Sequence, residues 1–197
     1  MVNIYNYFSR YYVPNNMAIC LSGDLDPDKT IAQIEKYFGG YKNKEVPTFT
    51  FEQQPEFSEP VVSEVFGPQP EHLFIGFRMG GATGKDAMML KLINGILSNG
   101  QAGLIDLNVM QKQKVLNAEA YSDINADYSV HGFYGEPREG QKMEDVTTLL
   151  LAQLDSVKQG KFGEWLLPAV IKNMKLEQIK SYEKNSSRAF AFVDAFT

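Results

Sequence analysis

The stretch Tyr11-Tyr12-Val13-Pro14-Asn15-Asn16, leading into Met17-Ala18-Ile19-Cys20-Leu21-Ser22-Gly23-Asp24, constrains the fold of this 197-residue chain more than any other. Pro14 disfavours helix at Val13, and Asn15-Asn16 carry turn chemistry, so a preceding helix must end here. The apolar run that follows is short and bounded, the pattern of a buried strand over about residues 17–23. Asp24-Leu25-Asp26-Pro27-Asp28 then opens a second helix, with Asp26 at the N-cap and Pro27 at the first helical position.

The rest of the chain is read around that segment. Ile4, Tyr7, Phe8 and Tyr11 recur at helical spacing and predict a first helix over about residues 2–12. The second helix covers about 27–38, with Ile31, Ile34 and Phe38 on one stripe and Gly39-Gly40 at its end. Residues 42–60, with Pro47, Pro55 and Pro60, read as an extended surface linker. Val61–Phe66 and Leu73–Met79 read as a strand pair around the turn signal Gly67-Pro68-Gln69-Pro70. A helix over about 85–98 is apolar nearly all round, which predicts a central, buried position. Asn99-Gly100-Gln101 breaks it, and a further helix is expected over about 102–114. Strands over about 116–123 and 128–135 flank Asn125-Ala126-Asp127. Helices over about 142–158 and 163–183 follow, with a helical tail around residues 188–193. Strand pairs separated by helices predict an α+β sandwich: one mixed, mostly antiparallel sheet covered by helices.

Composition narrows the function. Lys plus Arg is 19 against Asp plus Glu 24, a net charge of −5, which argues against a nucleic-acid partner. No apolar run approaches the length of about 20 residues that a membrane span needs. Met1 to Arg10 holds no apolar core of a signal peptide. The compartment stays unassigned, because the single cysteine, Cys20, cannot form an internal disulfide and sits in an apolar run, where it reads as a small buried hydrophobe.

Tests for chemistry give mostly negative expectations. The chain has two histidines, His72 and His131, and neither has a histidine four residues away, the spacing that places two ligands on one helix face. Glu71 and His72 are adjacent at a strand start and point to opposite faces. Met79-Gly80-Gly81-Ala82-Thr83-Gly84-Lys85-Asp86 lies where a phosphate-binding loop would sit. Met79 occupies the first glycine position and Asp86 the hydroxyl position, so it reads as a turn. Glu136 and Glu139 flank Pro137 and read as solvated charge. Lys172, Lys175, Lys180 and Lys184, with Glu177 and Glu183, read as an exposed helix face.

The YYxPNN segment running to Gly23-Asp24, together with the Asp-Pro helix start, resembles the C-terminal-type domain of the M16 (insulinase-like, pitrilysin-like) zinc metallopeptidases. Phe38-Gly39, the strand from His72 to Phe77, Asn99-Gly100-Gln101-Ala102-Gly103-Leu104, and Tyr121 after Leu116-Asn117-Ala118-Glu119-Ala120 resemble further family features in the same order, so the resemblance covers nearly the whole chain. It implies a ferredoxin-like fold of the LuxS/M16 metallohydrolase type, with residues 1–197 as one domain and 42–60 as an internal linker. It implies a fragment of a larger protein: a non-catalytic, chamber-forming domain that supports peptide binding and proteolysis by a homologous M16 catalytic domain outside this chain. The alternative it leaves open is a catalytically inactive scaffold or assembly subunit.

The family's inverted zinc motif HxxEH is absent here, so no catalytic or metal residue carries over, and zinc is expected in the catalytic domain of the parent. Many members place an Arg and a Tyr seven residues apart to bind substrate. Tyr121 matches the Tyr, whereas Lys114 holds the Arg position without the bidentate fork of a guanidinium. Peptide is the expected substrate, and an exposed apolar patch makes self-association of the fragment a further expectation.

Overall fold

A computed structural model describes residues 2–48 and 50–196. The chain divides into two compact units. One holds the residues up to Val65 together with those from Ile179; the other runs from Phe66 to Gln178.

In the first unit, α1 (Val2–Tyr11) stops where the Pro14 turn demands, and Pro14–Asn16 form a single 3₁₀ turn. The two asparagines have separate tasks. Asn16 Nδ2 donates to the Tyr11 carbonyl at the end of α1 (2.9 Å), satisfying a group that the helix leaves open. Asn15 pairs its whole side-chain amide with the backbone of Lys44, donating to its carbonyl (2.9 Å) and accepting from its N–H (3.1 Å). Helix α2 (Pro27–Phe38) starts as the residues dictate, with the Asp26 side chain accepting from the Lys29 N–H at 3.2 Å. That hydrogen bond, from a helix N-terminus to a carboxylate, holds the Asp26 carboxyl below its ordinary pKa.

The expected strand over 17–23 is extended but has no ladder partner among the described residues. Met17, Ile19 and Leu21 share one face and are about half exposed. Cys20 is half-buried rather than buried. A strand sequence becomes a strand only when a neighbouring strand takes its N–H and C=O groups, and among the described residues no ladder forms here. Val61–Phe66 fails for the same reason. It is extended, and Phe66 is 94% exposed. The tail forms α6 (Asn185–Phe196), longer than its apolar core suggested. Arg188 on α6 donates from Nε to Ser22 Oγ (3.0 Å) and also bonds Tyr182 and Asn185.

The second unit contains the sheet. Strands β1 (Leu73–Gly80), β2 (Asn117–Ile124) and β3 (Tyr128–Glu136) lie in the order β1-β3-β2, antiparallel throughout. β1 therefore pairs with β3, with Leu73 opposite Gly135 and Gly80 opposite Tyr128. It does not pair with Val61–Phe66 as the turn signal suggested. β2 pairs with β3 from Asn117–Glu136 to Ile124–Ser129. Helices α3 (Asp86–Leu97) and α4 (Met143–Lys158) pack on the sheet, and α5 (Leu166–Ser181) follows.

Alternation settles which side is the core. Leu73 and Ile75 of β1, Ala118 and Ala120 of β2, and Phe133 of β3 meet Leu97, Ile105, Val109, Val146 and Leu150. Gly135 brings α4 close: a Cβ there would lie 2.6 Å from Val146 Cγ1. A second cluster joins Ile96 and Leu104 to Leu166 and Val170. Only part of α3 is buried. Leu90, Ile96 and Leu97 are inside, whereas Met88 and Met89 are exposed, so its all-round apolarity overstated its burial.

The expected helix over 102–114 is much shorter. Its regular part ends in a π-helical turn, Asp106–Met110. The Gln111 N–H reaches the Asp106 carbonyl (2.8 Å) and the Lys114 N–H the Val109 carbonyl (3.0 Å), both five residues back. Gln113 then adopts φ +51°, a left-handed conformation that a right-handed helix cannot continue through. No helix among the described residues is long and apolar enough to cross a membrane.

Candidate functional site

Helices α3 and α4 press on one face of the sheet, and the residues that alternate with the core point the other way. This second face carries Phe74, Gly76 and Arg78 from β1. It carries Val130, Gly132, Tyr134 and Glu136 from β3, and Glu119, Tyr121 and Asp123 from β2. Phe74 is 61% exposed despite its size. It stacks at a tilt on Tyr134, ring centroids 5.1 Å apart, and His72 sits edge-on to Phe74 at 5.4 Å. The Tyr134 hydroxyl donates to the Glu136 carboxylate. That bond raises the phenol's pKa above its ordinary value, because losing the proton would set two anions side by side. Arg78 lies over the Tyr128 ring, 5.4 Å from its centroid.

Tyr121 belongs to this face. Its register partner is Gly132, and the end of its ring, hydroxyl included, covers the space that a Cβ on Gly132 would need. An aromatic laid over a cross-strand glycine fills the gap in the side-chain layer. Beyond Gly132 in the same row comes Gly76, where a Cβ would meet only Val130 Cγ1, at 3.5 Å. Tyr121, Phe74, Tyr134 and Val130 thus border a shallow trough floored by Gly76.

Lys114 stands elsewhere. It precedes β2, whereas Tyr121 is four strand steps, about 13 Å, past Asn117. The Lys114 side chain is exposed, and its backbone is held firmly. Gln141 Nε2 donates to the Lys114 carbonyl (3.1 Å), and Arg138 Nη1 donates to the preceding Gln113 carbonyl (3.1 Å). Arg138 N–H is in turn fixed to Gln141 Oε1 (2.9 Å). The 137–142 loop thus anchors the strained Gln113 and fixes where Lys114 leaves the fold. Motif and spacing single out none of Gly76, Gly132, Arg138 and Gln141. The two glycines do carry a signal, since they interrupt strand runs. The Arg138 and Gln141 contacts carry none, because they join positions 25 and 27 residues apart.

The remaining candidates resolve into structure. His72 lies at the start of β1 on the open side, whereas His131 faces the core, so the two cannot share a metal. Among the described residues no three His, Cys, Asp or Glu side chains come together as a metal site. The Met79–Asp86 loop is closed rather than a phosphate cradle. Gly81 packs directly against the Ala126 carbonyl, the Ala82 N–H donates to Asn125 O (2.9 Å), and Asp86 occupies the first turn of α3.

The family profile described as "Peptidase M16 inactive domain" matches residues 3–174. The zinc protease PqqE of Helicobacter pylori is 25% identical over 198 residues, covering 98% of this chain and 44% of that protein. A solved protease from Helicobacter pylori superposes with a TM-score of 0.84 at 24% identity, covering 98% of this chain and 48% of that one. A chain of complex III2 from Candida albicans superposes with a TM-score of 0.67 at 18% identity, covering 95% of this chain and 46% of that one. The chain thus spans less than half the length of the curated relative it matches.

Proposed function

We propose, on the premise that this chain belongs to the peptidase M16 family as an inactive-type domain, that it is the non-catalytic half of a zinc metallopeptidase. The sheet face opposite α3 and α4 would line the substrate chamber, and a homologous catalytic domain outside the chain would hold the zinc on its HxxEH motif. The observation that carries this reading is the one-sided sheet. Its core face is filled by Phe133 and its neighbours, while its other face leaves Phe74 exposed around the Gly76 trough. Such a surface suits an extended peptide, whose side chains alternate at the spacing of the trough's walls.

In this reading residues 1–197 work as one functional domain with 42–60 as its linker. Tyr121 contacts peptide from the sheet face, and Lys114 contributes a charge from its anchored loop. Met17, Ile19 and Leu21, half-exposed and strand-like, offer an edge and an apolar face to the catalytic partner. A fragment separated from that partner would self-associate through the same residues.

Two experiments test the proposal. The parent gene should encode HxxEH upstream of this segment; its absence there and from any neighbouring subunit removes the peptidase reading. With the catalytic partner present, Tyr121→Ala and Gly76→Trp should each raise KM for a peptide substrate about tenfold, which is about 1.4 kcal/mol, with kcat nearly kept. Unchanged KM in both variants sinks the peptide-facing role. A second reading, an inactive assembly subunit, is favoured by the likeness to a chain of complex III2. A parent whose HxxEH has lost its histidines would establish it.

A further inference from the structure

We propose that His131, in the core where the β2–β3 hairpin meets α3, is tolerated there only as a neutral imidazole, so that taking up a proton weakens the fold. His131 is 4% exposed on the core face of β3, between Phe77 of β1 and Ser122 of β2. Its Nδ1 lies 3.0 Å from Ser122 Oγ, and Ser122 Oγ reaches toward the Leu90 carbonyl of α3 at 3.5 Å. Three elements therefore meet at one imidazole. Its other nitrogen, Nε2, is buried without a hydrogen-bond partner among the described residues, as is Ser129 Oγ two residues away on the same face. The Phe133 ring stands edge-on at 5.2 Å.

Ser122 has one hydroxyl proton, so it reaches the Leu90 carbonyl only when Nδ1–H donates to Ser122 Oγ. If Nδ1–H donates to Ser122, an added proton goes to the buried Nε2, which makes no hydrogen bond among the described residues. If the Ser122 hydroxyl instead donates to Nδ1, its proton is not available to Leu90; an added proton goes to Nδ1, reverses that bond, and leaves Nε2–H still unpaired. Both routes place a charged, under-bonded group in an apolar layer, which is costly.

Among the described residues the charged groups nearby are turned elsewhere; the buried Asp106 carboxylate of the π-helical turn is taken up by the Asn99 and Gly103 N–H groups. The inward positions of β1 are Leu73, Ile75, Phe77 and Met79; those of β2 are Ala118, Ala120, Ser122 and Ile124. On α4 the buried residues are Val146, Leu150 and Gln153. The charges of α3, Asp86 and Lys91, are exposed, and Arg78, Glu119, Asp123 and Glu136 belong to the opposite sheet face. Burial pushes the His131 pKa below its ordinary 6.5, opposed in part by the Tyr121 backbone.

The sign follows. As pH falls below about 6.5, the unfolded chain takes up a proton at this position that the folded chain refuses. The unfolded state binds more protons, so stability falls with pH until the lowered folded pKa is reached. The unfolding constant rises by up to about tenfold per pH unit in that window.

The experiment is urea unfolding of the intact chain from about pH 8 to about pH 5, followed by the fluorescence of Trp165, the chain's only tryptophan. Wild type should lose stability below about pH 6.5, and so should His72→Gln, which removes the other histidine. His131→Leu combined with Ser122→Ala should lose this part of the pH dependence. An equal slope in the double variant overturns the proposal. If that variant does not fold, imidazole nitrogen NMR of the folded wild type decides. A His131 ring still neutral as pH passes below 6.5 supports the proposal, and one that is half protonated at or above 6.5 ends it.

Discussion

Replacing Phe133 with alanine should cost about 4 kcal/mol of unfolding free energy, among the largest losses any single truncation in this chain can produce. Phe133 is 0% exposed, in the middle of the central strand, opposite Ile75 on one side and Ala120 on the other. Its ring meets Phe77 edge-on at 6.3 Å and His131 at 5.2 Å, and it packs in the cluster that holds Leu97, Val109 and Leu150. The small partner Ala120 cannot expand into the void, and neighbours on three elements would have to move together to close it. Phe74→Ala is the internal control. It removes a ring of the same size from the same sheet, but from the exposed face, and should cost under about 1 kcal/mol. Urea unfolding of both variants measures the difference. Equal losses would mean that the two faces of the sheet have been assigned the wrong way round.

Asp106→Ala should follow, at about 3 kcal/mol. The Asp106 carboxylate is buried at the start of the π-helical turn, and Oδ2 accepts from the Asn99 and Gly103 N–H groups, both at 2.9 Å. Alanine would strand both donors. The turn has no slack to recover them, since a Cβ on Gly103 would lie 2.6 Å from the Leu97 carbonyl. Asn99 depends on the same arrangement, its Oδ1 accepting from Gln101 N (3.1 Å) and Ala102 N (2.8 Å). Asp106→Asn keeps an acceptor oxygen in place and should recover more than half of the loss. If asparagine proves as damaging as alanine, charge rather than hydrogen bonding holds the turn.

Elements governed by neighbouring residues are legible in the amino-acid order alone. Asp26 and Pro27 set the start of α2, and Pro14 with Asn16 ends α1, because caps and turns involve backbone groups only a few residues away. The β2–β3 hairpin is legible for the same reason. Val61–Phe66 and residues 17–23 carry equally good strand patterns, yet neither enters the sheet. Pattern reports what a segment would bury, whereas pairing depends on which edge reaches it. The 102–114 segment departs from its pattern for another reason: helical spacing of Leu104, Leu107 and Met110 says nothing of the carboxylate contacts that fix its start or of the left-handed Gln113 that ends it.

The family resemblance starts at the Tyr11–Asp24 segment and is complete in the sequence, and so is the lack of an HxxEH motif. Both are matters of residue identity and order. The tertiary structure alone decided that Tyr121 lies over Gly132, that Gly76 opens a trough beside it, and that Arg138 and Gln141 anchor the loop bearing Lys114. It alone placed His131 in the core and His72 on the open side. Side-chain alternation makes each strand residue belong to one face or the other, but which face is inside depends on where the helices pack. That choice is made by Phe133, Leu97, Leu150 and Val146 together, across more than fifty residues of sequence.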